Sequence, residues 1–136
     1  MELNLTDKNL TFDLLKKYLS KNYNEENIYF NDNDKIVRFY NINVNILLND
    51  LFDDFSWNNI VVFSGMFIFN ECNITINNSI CSEWWFIKFN QCNIFNKKNI
   101  ELSTDWDEWT IILSNCSLNW WELKVFSRWK WNNVIV

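Results

Sequence analysis

The sequence contains no histidine, no proline and a single glycine, Gly65. Without histidine, the four cysteines cannot complete a mixed Cys/His metal site, and no two of them have the C-x-x-C spacing of a zinc ligand pair. The near absence of glycine, with no Asn-Gly or Asp-Gly pair, argues against a meander of tight β-hairpins. Asparagine is frequent instead, and after glycine it is the residue that most readily adopts the positive φ angles of turns.

The charge balance and the hydropathy argue against two further classes of protein. The 136 residues carry 12 Lys and Arg against 17 Asp and Glu, a net charge of −5, whereas nucleic-acid binding needs clustered basic residues. We therefore expect no direct nucleic-acid binding, while a protein partner with a basic surface suits this charge. No apolar run approaches the roughly 20 residues that span a bilayer, and the segment MELNLTDKNL lacks a secretory pattern. These features predict a cytoplasmic protein that does not bind membranes.

Tryptophan recurs at the start of similar segments in the second half of the chain. WNNIVVF begins at Trp57, WWFIKF at Trp84, WTIIL at Trp109 and WNNVIV at Trp131, at spacings of 22 to 27 residues. Periods of roughly 20 to 50 residues are typical of repeat proteins, and alternating apolar residues indicate strands with one buried face. Three short strands per repeat predict a parallel β-helix.

The predicted inward positions form three ladders across the repeats. The first contains Ile60, Ile87, Ile111 and Val134, followed two residues later by Val62, Phe89, Leu113 and Val136. The second contains Met66, Cys92 and Cys116, then Ile68, Ile94 and Leu118. The third contains Ile74, Ile100 and Leu123, then Ile76, Leu102 and Val125. Beside the third ladder, the outward residues Glu101 and Lys124 would form a favourable pair on adjacent strands.

Two other arrangements are open at this point. The segments NECNI (70–74) and NQCNI (90–94) match at a spacing of 20 residues, but Cys116 lies 24 residues after Cys92. Short strands at regular spacing also occur in antiparallel meanders and sandwiches. We favour the tryptophan spacing, because it aligns all four segments.

The chain 1–136 is expected to form a single, mainly β domain. Its predicted fold is a short parallel β-helix, or β-solenoid, of about four coils, with an N-terminal helical cap and one helical insertion. The coils occupy 57–136, and the period of 3.6 residues in 46–55 predicts the insertion, an amphipathic helix with an acidic face. Residues 27–44 fit a hairpin or an irregular first coil, and we favour the coil because IVRFYNINV resembles the later segments.

Helical spacing predicts the cap in residues 1–22. Thr11 is a suitable N-cap, and Asp13 lies where the helix dipole favours an acidic residue. The apolar stripe contains Phe12, Leu15 and Leu19, joined by Leu14 and Tyr18. We expect this stripe to cover an open end of the coils.

The pattern F-x-x-C-x-I in 69–74 and 89–94, with leucine for phenylalanine in 113–118, resembles the coils of right-handed parallel β-helix proteins of the pectate-lyase-like architecture. The resemblance covers about residues 57–136 and implies that fold. Enzymes of that architecture carry Asp, Lys and Arg clusters on one flank, often with a metal, and no such cluster matches here. In size, acidity and asparagine content the chain also resembles small inhibitors from phages and mobile elements, such as anti-CRISPR proteins, which implies a viral protein in the host cytoplasm.

Cysteines and carboxylates are the candidate reactive groups. Cys92 and Cys116 are expected to pack in the core, and Cys81 to lie in a corner that could be exposed, with no basic group to activate a thiolate. The acids of STDWDEW (103–109) could serve glycoside hydrolysis or bind Ca²⁺, but a solvated corner is the simpler expectation. We therefore predict no catalytic residue, no metal and no cofactor.

Acidic and aromatic residues outside the ladders converge on one corner of the coils, where repeat length varies. The tryptophans that recur at coil starts are expected to stack there, and exposed tryptophan is a common interface anchor. The predicted partner-binding residues are Asp50, Asp53, Asp54, Glu83, Asp105, Trp106, Asp107, Glu108, Arg128 and Trp129. We expect a non-enzymatic inhibitor or adaptor that occupies a basic surface of a larger partner, such as CRISPR-type nucleic-acid-handling machinery, with its acids imitating phosphates.

Two other functions are open. Trp106 and Trp109 could stack on sugar rings, which would make the chain a carbohydrate-binding or sugar-active module. The chain could instead be a self-assembling structural subunit, because an apolar strand edge at its end invites pairing with a second copy. The residues predicted for that homodimer edge are Trp131, Val134, Ile135 and Val136.

Overall fold

The computed structural model describes residues 2–19, 26–48, 60–96, 100–104, 109–119, 123–125 and 134–135. This part of the chain is mainly β, with one helix, α1 (Phe12–Leu19). Its first strands are β1 (Glu2–Leu5), β2 (Asn9–Thr11), β3 (Ile28–Asn31), β4 (Ile36–Tyr40) and β5 (Asn43–Ile46). The next are β6 (Ile60–Asn70), β7 (Asn73–Ile76), β8 (Ser79–Asn90) and β9 (Asn93–Asn96). The last are β10 (Ile100–Thr104), β11 (Thr110–Ser114), β12 (Ser117–Asn119), β13 (Leu123–Val125) and β14 (Val134–Ile135).

The described strands form two sheets, and their pairing is parallel except in one hairpin. One sheet has the order β1-β5-β7-β9-β12, and the other has the path β13-β10-β8-β6-β4-β3. In the second sheet β2 also pairs with β6, and β11 pairs with both β8 and β14. The antiparallel hairpin joins β3 to β4. The antiparallel sandwich is therefore excluded for this part of the chain.

The register of the first repeats corrects the tryptophan alignment. Phe67 pairs with Ile87 and Ile74 with Ile94, so equivalent residues lie 20 positions apart, as in the alternative spacing. The predicted ladder positions of Ile60, Val62, Met66, Ile68, Ile74 and Ile76 are wrong, because they pair with Ser79, Cys81, Phe86, Lys88, Ile94 and Asn96. Placing Ile60 rather than Phe67 beside Ile87 is an odd shift of seven residues, which would turn the apolar face of β6 outward.

From the second repeat onward the predicted alignment is confirmed. The confirmed register pairs are Ile87–Ile111, Phe89–Leu113, Ile111–Val134, Ile94–Leu118, Ile100–Leu123 and Leu102–Val125. Glu101 and Lys124 are also register partners, as predicted.

At four places along the chain a two-residue turn, here called a corner, connects a strand of one sheet to the next strand, which belongs to the other sheet. The first residue of each corner has a φ angle of 51° to 55°, and these residues are Asn41, Glu71, Gln91 and Asn115. The Asn41 N–H donates to the carbonyl of Asn70 at 2.9 Å, and the Gln91 N–H donates to that of Ser114 at 2.8 Å. Asparagine thus supplies the left-handed conformation at two corners, as expected. At the other two corners, Glu71 and Gln91 have the same left-handed conformation. Their N–H groups donate to the carbonyls of Asn90 and Ser114, and these hydrogen bonds hold the conformation.

The core lies between the sheets and is built around stacked phenylalanines. The Phe69 ring stacks on Phe39 at a centroid distance of 4.4 Å and on Phe89 at 5.2 Å. Cys92 is buried, which confirms its predicted packing role. Cys81 is also fully buried, so its predicted corner position is wrong. It lies within the long strand β8, where neighbouring strands cover it on both sides.

The N-terminal helix begins later than the predicted span 1–22, whose residues 20–22 lie outside the described part. Of residues 1–22, the structure forms a helix in Phe12–Leu19, whereas β1 and β2 are strands. In β1 buried Leu3 and Leu5 alternate with exposed side chains, and the strand pairs with β5, so sheet formation replaces the predicted helix there.

The apolar face of α1 packs against β2 and β6. Phe12, Leu15 and Leu19 are buried, as predicted, whereas Leu14 and Tyr18 are exposed and lie outside this face. At the helix start, the Leu14 N–H donates to Thr11 Oγ1 at 3.1 Å, which confirms Thr11 as the N-cap.

Replacing Thr11 with alanine removes this acceptor. We expect the free energy of unfolding to fall by about 1 kcal/mol, measured by urea denaturation. Thr11→Ser, which keeps the hydroxyl, should stay within about 0.5 kcal/mol of the original chain. Equal losses in the two variants would contradict a capping role for the hydroxyl.

Residues 27–44 combine the two predicted arrangements. β4 and β5 pair in parallel with β6 and β7, so this segment continues the repeat. β3 adds an antiparallel hairpin at the edge of the sheet.

The predicted inserted helix, 46–55, is described only at its start. Ile46 still belongs to β5, and the buried Leu48 donates its N–H to Asn78 Oδ1 at 3.0 Å. Residues 49–55 lie outside the described part. Within the described residues, the structure has no helix with the length and apolarity needed to cross a lipid bilayer.

Candidate partner-binding corner

The long strands β6 and β8 share a bulge at their midpoints. Ser64 pairs with Glu83 and Met66 pairs with Phe86, so that Trp84 and Trp85 together lie opposite Gly65. Two residues facing one is the arrangement of a β-bulge, which bends a strand and turns side chains away from the core. This bulge carries the candidate site.

The backbone at the bulge is strained. Trp84 has a φ angle of 62° and Trp85 one of 103°, while Gly65 opposite has 136°. Large side chains rarely adopt positive φ angles, and each such residue costs roughly 1–3 kcal/mol. The strand pairs on both sides of the bulge offset this cost. Strain of this kind clusters at binding and active sites, so the bulge is a candidate site on backbone grounds.

The strained residues expose their aromatic side chains. Trp84 is 58% exposed and Trp85 63%, and among the large hydrophobic side chains of the described residues Tyr18 alone matches Trp84. The ring of Trp84 contacts that of Trp109 at a centroid distance of 5.4 Å and an angle of 41°. Two of the recurring tryptophans therefore meet, as a tilted pair rather than the predicted stack. Exposed, ordered tryptophan rings are frequent anchors of protein interfaces.

Glu83, which precedes Trp84 in β8, adds a carboxylate to this part of the strand. It is half-buried, and its Oε2 accepts a hydrogen bond from Ser64 Oγ at 3.4 Å across the bulge. We call Glu83, Trp84, Trp85 and Trp109 the tryptophan corner.

The residues on either side of the acidic segment 105–108 meet β8 next to Glu83. Thr104, which precedes the segment, pairs with Ser82, and Trp109, which follows it, contacts Trp84. The predicted residues Asp105, Trp106, Asp107 and Glu108 themselves lie outside the described part of the chain.

Other predicted site residues are described partly or not at all. Asp50, Asp53, Asp54, Arg128, Trp129, Trp131 and Val136 lie outside the described residues. Val134 and Ile135 form β14, whose backbone pairs with Ile111 and Ile112 of β11. β11 is the one described strand that pairs with β14.

Trp85 was not predicted as a site residue, and Trp84 was assigned to corner stacking alone. The structure, rather than the sequence, marks them. Before the bulge Ile80, Cys81 and Ser82 are all buried, whereas after it burial alternates at Ile87 and Phe89. The change in the burial pattern falls at the extra residue of the bulge.

Two buried hydroxyl groups lie next to the corner. Ser82 and Thr104 are register partners, and both are fully buried. Neither Ser82 Oγ nor Thr104 Oγ1 has a hydrogen-bond partner. An unsatisfied buried hydroxyl costs roughly 1–3 kcal/mol, so this part of the core lowers stability.

Metal-binding clusters and known relatives give no further indication of function. Nowhere in the described residues do three or more Cys, Asp or Glu side chains gather in a way that could hold a metal ion. Comparison of the chain with known protein families, with curated proteins and with solved structures finds no match.

Proposed function

We propose that the chain is a non-enzymatic protein-binding inhibitor or adaptor whose tryptophan corner docks on a basic surface of a larger protein. The observation that carries the proposal is the exposure of Trp84 and Trp85 on a strained bulge. Aromatic rings held in place lose little conformational freedom on binding, which favours them as anchors. Their strain is the kind of local cost that persists at sites selected for binding.

The scaffold in this proposal is a short parallel β-helix of about four coils. Its support is the repeated path from one sheet to the other through equivalent corners, with parallel pairing between successive stretches. In such a scaffold a corner that deviates from the repeat presents side chains without disturbing the stacked core.

The charge of the corner specifies the chemistry of the partner. Glu83 lies beside the tryptophans, and the flanked segment 105–108 adds Asp105, Asp107 and Glu108 in sequence to a chain of net charge −5. Carboxylates around aromatic anchors complement arginine and lysine, and arginine also stacks on tryptophan faces. A basic groove that normally holds nucleic acid fits this surface, as expected for an inhibitor of CRISPR-type machinery in a host cytoplasm.

The test first identifies the partner by affinity capture and then measures the affinity of the chain for that partner. The full chain is immobilised, proteins retained from a lysate of the producing cell are identified, and Kd is measured with the purified partner. We expect Trp84→Ala and Trp85→Ala each to weaken binding at least about tenfold, since interface tryptophans often contribute 2 kcal/mol or more. Asp105→Lys with Asp107→Lys should weaken it further and reduce its salt dependence.

Tyr29→Ala is the matched control, because Tyr29 is a 49% exposed aromatic residue on the hairpin strand β3, outside the corner. Unchanged affinity in both tryptophan variants would reject the corner as the binding surface. Unchanged affinity in the double lysine variant would reject the basic partner.

A carbohydrate ligand is the second candidate, because the paired rings of Trp84 and Trp109 could stack on sugars. Oligosaccharides that quench tryptophan fluorescence in the original chain but not in Trp84→Ala would favour it over a protein partner. The homodimer through the C-terminal edge rests on β14, and light scattering at high concentration that finds a monomer would reject it.

A further inference from the structure

Three cysteines stack at one corner of successive stretches. Cys72, Cys92 and Cys116 each occupy the second corner residue, directly before β7, β9 and β12. The Asn93 N–H donates to the carbonyl of Cys72 and the Ser117 N–H to that of Cys92, both at 2.9 Å. The three residues are therefore neighbours across adjacent parallel strands, whose backbones lie roughly 4.8 Å apart.

The three thiols share one column, and their recorded hydrogen bonds run to backbone carbonyls. The Cys92 thiol donates to the carbonyl of Phe69 at 3.3 Å, and the Cys116 thiol to that of Phe89 at 3.3 Å. Cys72 and Cys92 are 1% exposed, whereas Cys116 is half-buried. A small reagent from solvent thus reaches Cys116 first.

The proton distribution differs along this chain. The hydrogen bond from Cys92 lowers the pKa of Cys116 to about 6, and backbone groups of Cys92, Ser114 and Gln91 lower it further against the effect of burial. The hydrogen bonds to Cys116 and Cys72, together with burial, raise the pKa of Cys92. These opposite pKa shifts favour the thiolate form at Cys116 and the protonated form at Cys92. The activating group that the sequence lacks, a nearby base, is replaced by a neighbouring thiol and backbone groups.

We propose that Cys116 and Cys92 are a peroxide-sensitive redox pair, with Cys116 as the attacking thiolate and Cys92 as the resolving thiol. In the first step the Cys116 sulfur attacks the outer oxygen of a hydroperoxide, ROOH. The O–O bond breaks, ROH leaves with a proton from solvent, and Cys116 becomes a sulfenic acid. In the second step the Cys92 sulfur attacks that sulfenic sulfur, an S–S bond forms and water leaves with the Cys92 proton. The hydroperoxide is reduced by two electrons, and the two thiols are oxidised to one disulfide.

The backbone geometry permits this bond. Disulfides join residues whose Cα atoms are roughly 4.4–6.8 Å apart, and neighbouring parallel strands are spaced by roughly 4.8 Å. The bond would tie the start of β9 to the start of β12. In the reduced chain the thiols pack in the core. In the oxidised chain the disulfide would be a covalent cross-link between neighbouring coils.

The test uses the full chain, reduced and then treated with one equivalent of hydrogen peroxide at about pH 7.5. Intact mass should fall by about 2 Da, and peptide mapping should locate a Cys92–Cys116 disulfide. The reaction should slow several-fold at about pH 5, where Cys116 is mostly protonated. A mass gain of one oxygen without a disulfide, or a disulfide between other cysteines, would overturn the proposal.

Variants separate the two roles. Cys116→Ala should abolish disulfide formation, while Cys92→Ala should stop the reaction at the sulfenic acid, trapped with dimedone. Cys81→Ala is the matched control, because Cys81 is fully buried within β8 and does not belong to the column of Cys72, Cys92 and Cys116. This variant should oxidise like the original chain. If Cys92→Ala does not fold, the peptide map and pH dependence of the original chain decide the assignment. Disulfide formation in Cys116→Ala at the original rate would contradict it.

Discussion

Replacing Phe69 with alanine is expected to lower the free energy of unfolding by about 3–5 kcal/mol. Phe69 is fully buried and lies at the centre of the stack, between Phe39 at 4.4 Å and Phe89 at 5.2 Å. Its ring also meets the edge of the Phe63 ring at 6.3 Å. Removing it leaves a cavity and breaks three aromatic contacts, each of which contributes roughly 0.5–1.5 kcal/mol beyond burial.

Urea denaturation followed by tryptophan fluorescence measures this loss. Phe95→Ala is the matched control, because Phe95 points outward from β9 and is 39% exposed, so its loss should stay within about 1 kcal/mol. If Phe69→Ala does not fold at all, Phe69→Leu should fold with a loss of about 1–2 kcal/mol. Equal effects at Phe69 and Phe95 would contradict the described core.

Replacing the two unpaired hydroxyls is expected to stabilise the chain. Thr104→Val combined with Ser82→Ala should raise the free energy of unfolding by about 2 kcal/mol. Both side chains are fully buried and neither hydroxyl has a hydrogen-bond partner, so the substitutions remove a desolvation cost without removing a bond. Valine keeps the shape of threonine, which leaves the packing unchanged.

Thr75→Val is the control for this pair. Thr75 is half-buried on β7 and its hydroxyl is not a buried unpaired group, so we expect a change within about 0.5 kcal/mol. A loss of stability in Thr104→Val, measured by the same urea denaturation, would mean that Thr104 Oγ1 does have a partner in the folded chain. Because both hydroxyls lie beside the tryptophan corner, unchanged partner affinity in the stabilised variant would separate stability from binding.

The sequence predicted the repeat from Ile87 onward correctly and misplaced it before that point. The apolar residues of WWFIKF, WTIIL and WNNVIV were aligned as Ile87, Ile111 and Val134, and these residues are register partners in the structure. The earlier segment, which begins at Trp57, has a similar sequence, but aligning it by this similarity shifts it by seven residues from its observed register with β8. The segments NECNI and NQCNI carried the correct spacing, because a corner with positive φ must stack on a corner.

The candidate site could be predicted only in part. Glu83 and the acids of 105–108 stand out because charged residues cannot lie on an inward ladder. Trp84 and Trp85 do not stand out as site residues, because large apolar side chains in a strand ordinarily belong to the core. Their exposure follows from the bulge opposite Gly65, and a bulge depends on how two strands pair.

The sequence by itself determined the mainly β class, the alignment of the strands from Ile87 onward and the acidic, aromatic composition of residues 103–109. These follow from side-chain periodicity and charge, which are local properties. Tertiary structure decided the register between the parallel strands, the outward turn of Trp84 and Trp85, and the stacking of Cys72, Cys92 and Cys116. Each of these depends on hydrogen bonds between residues 19 or more positions apart, which compete with other registers of similar local pattern.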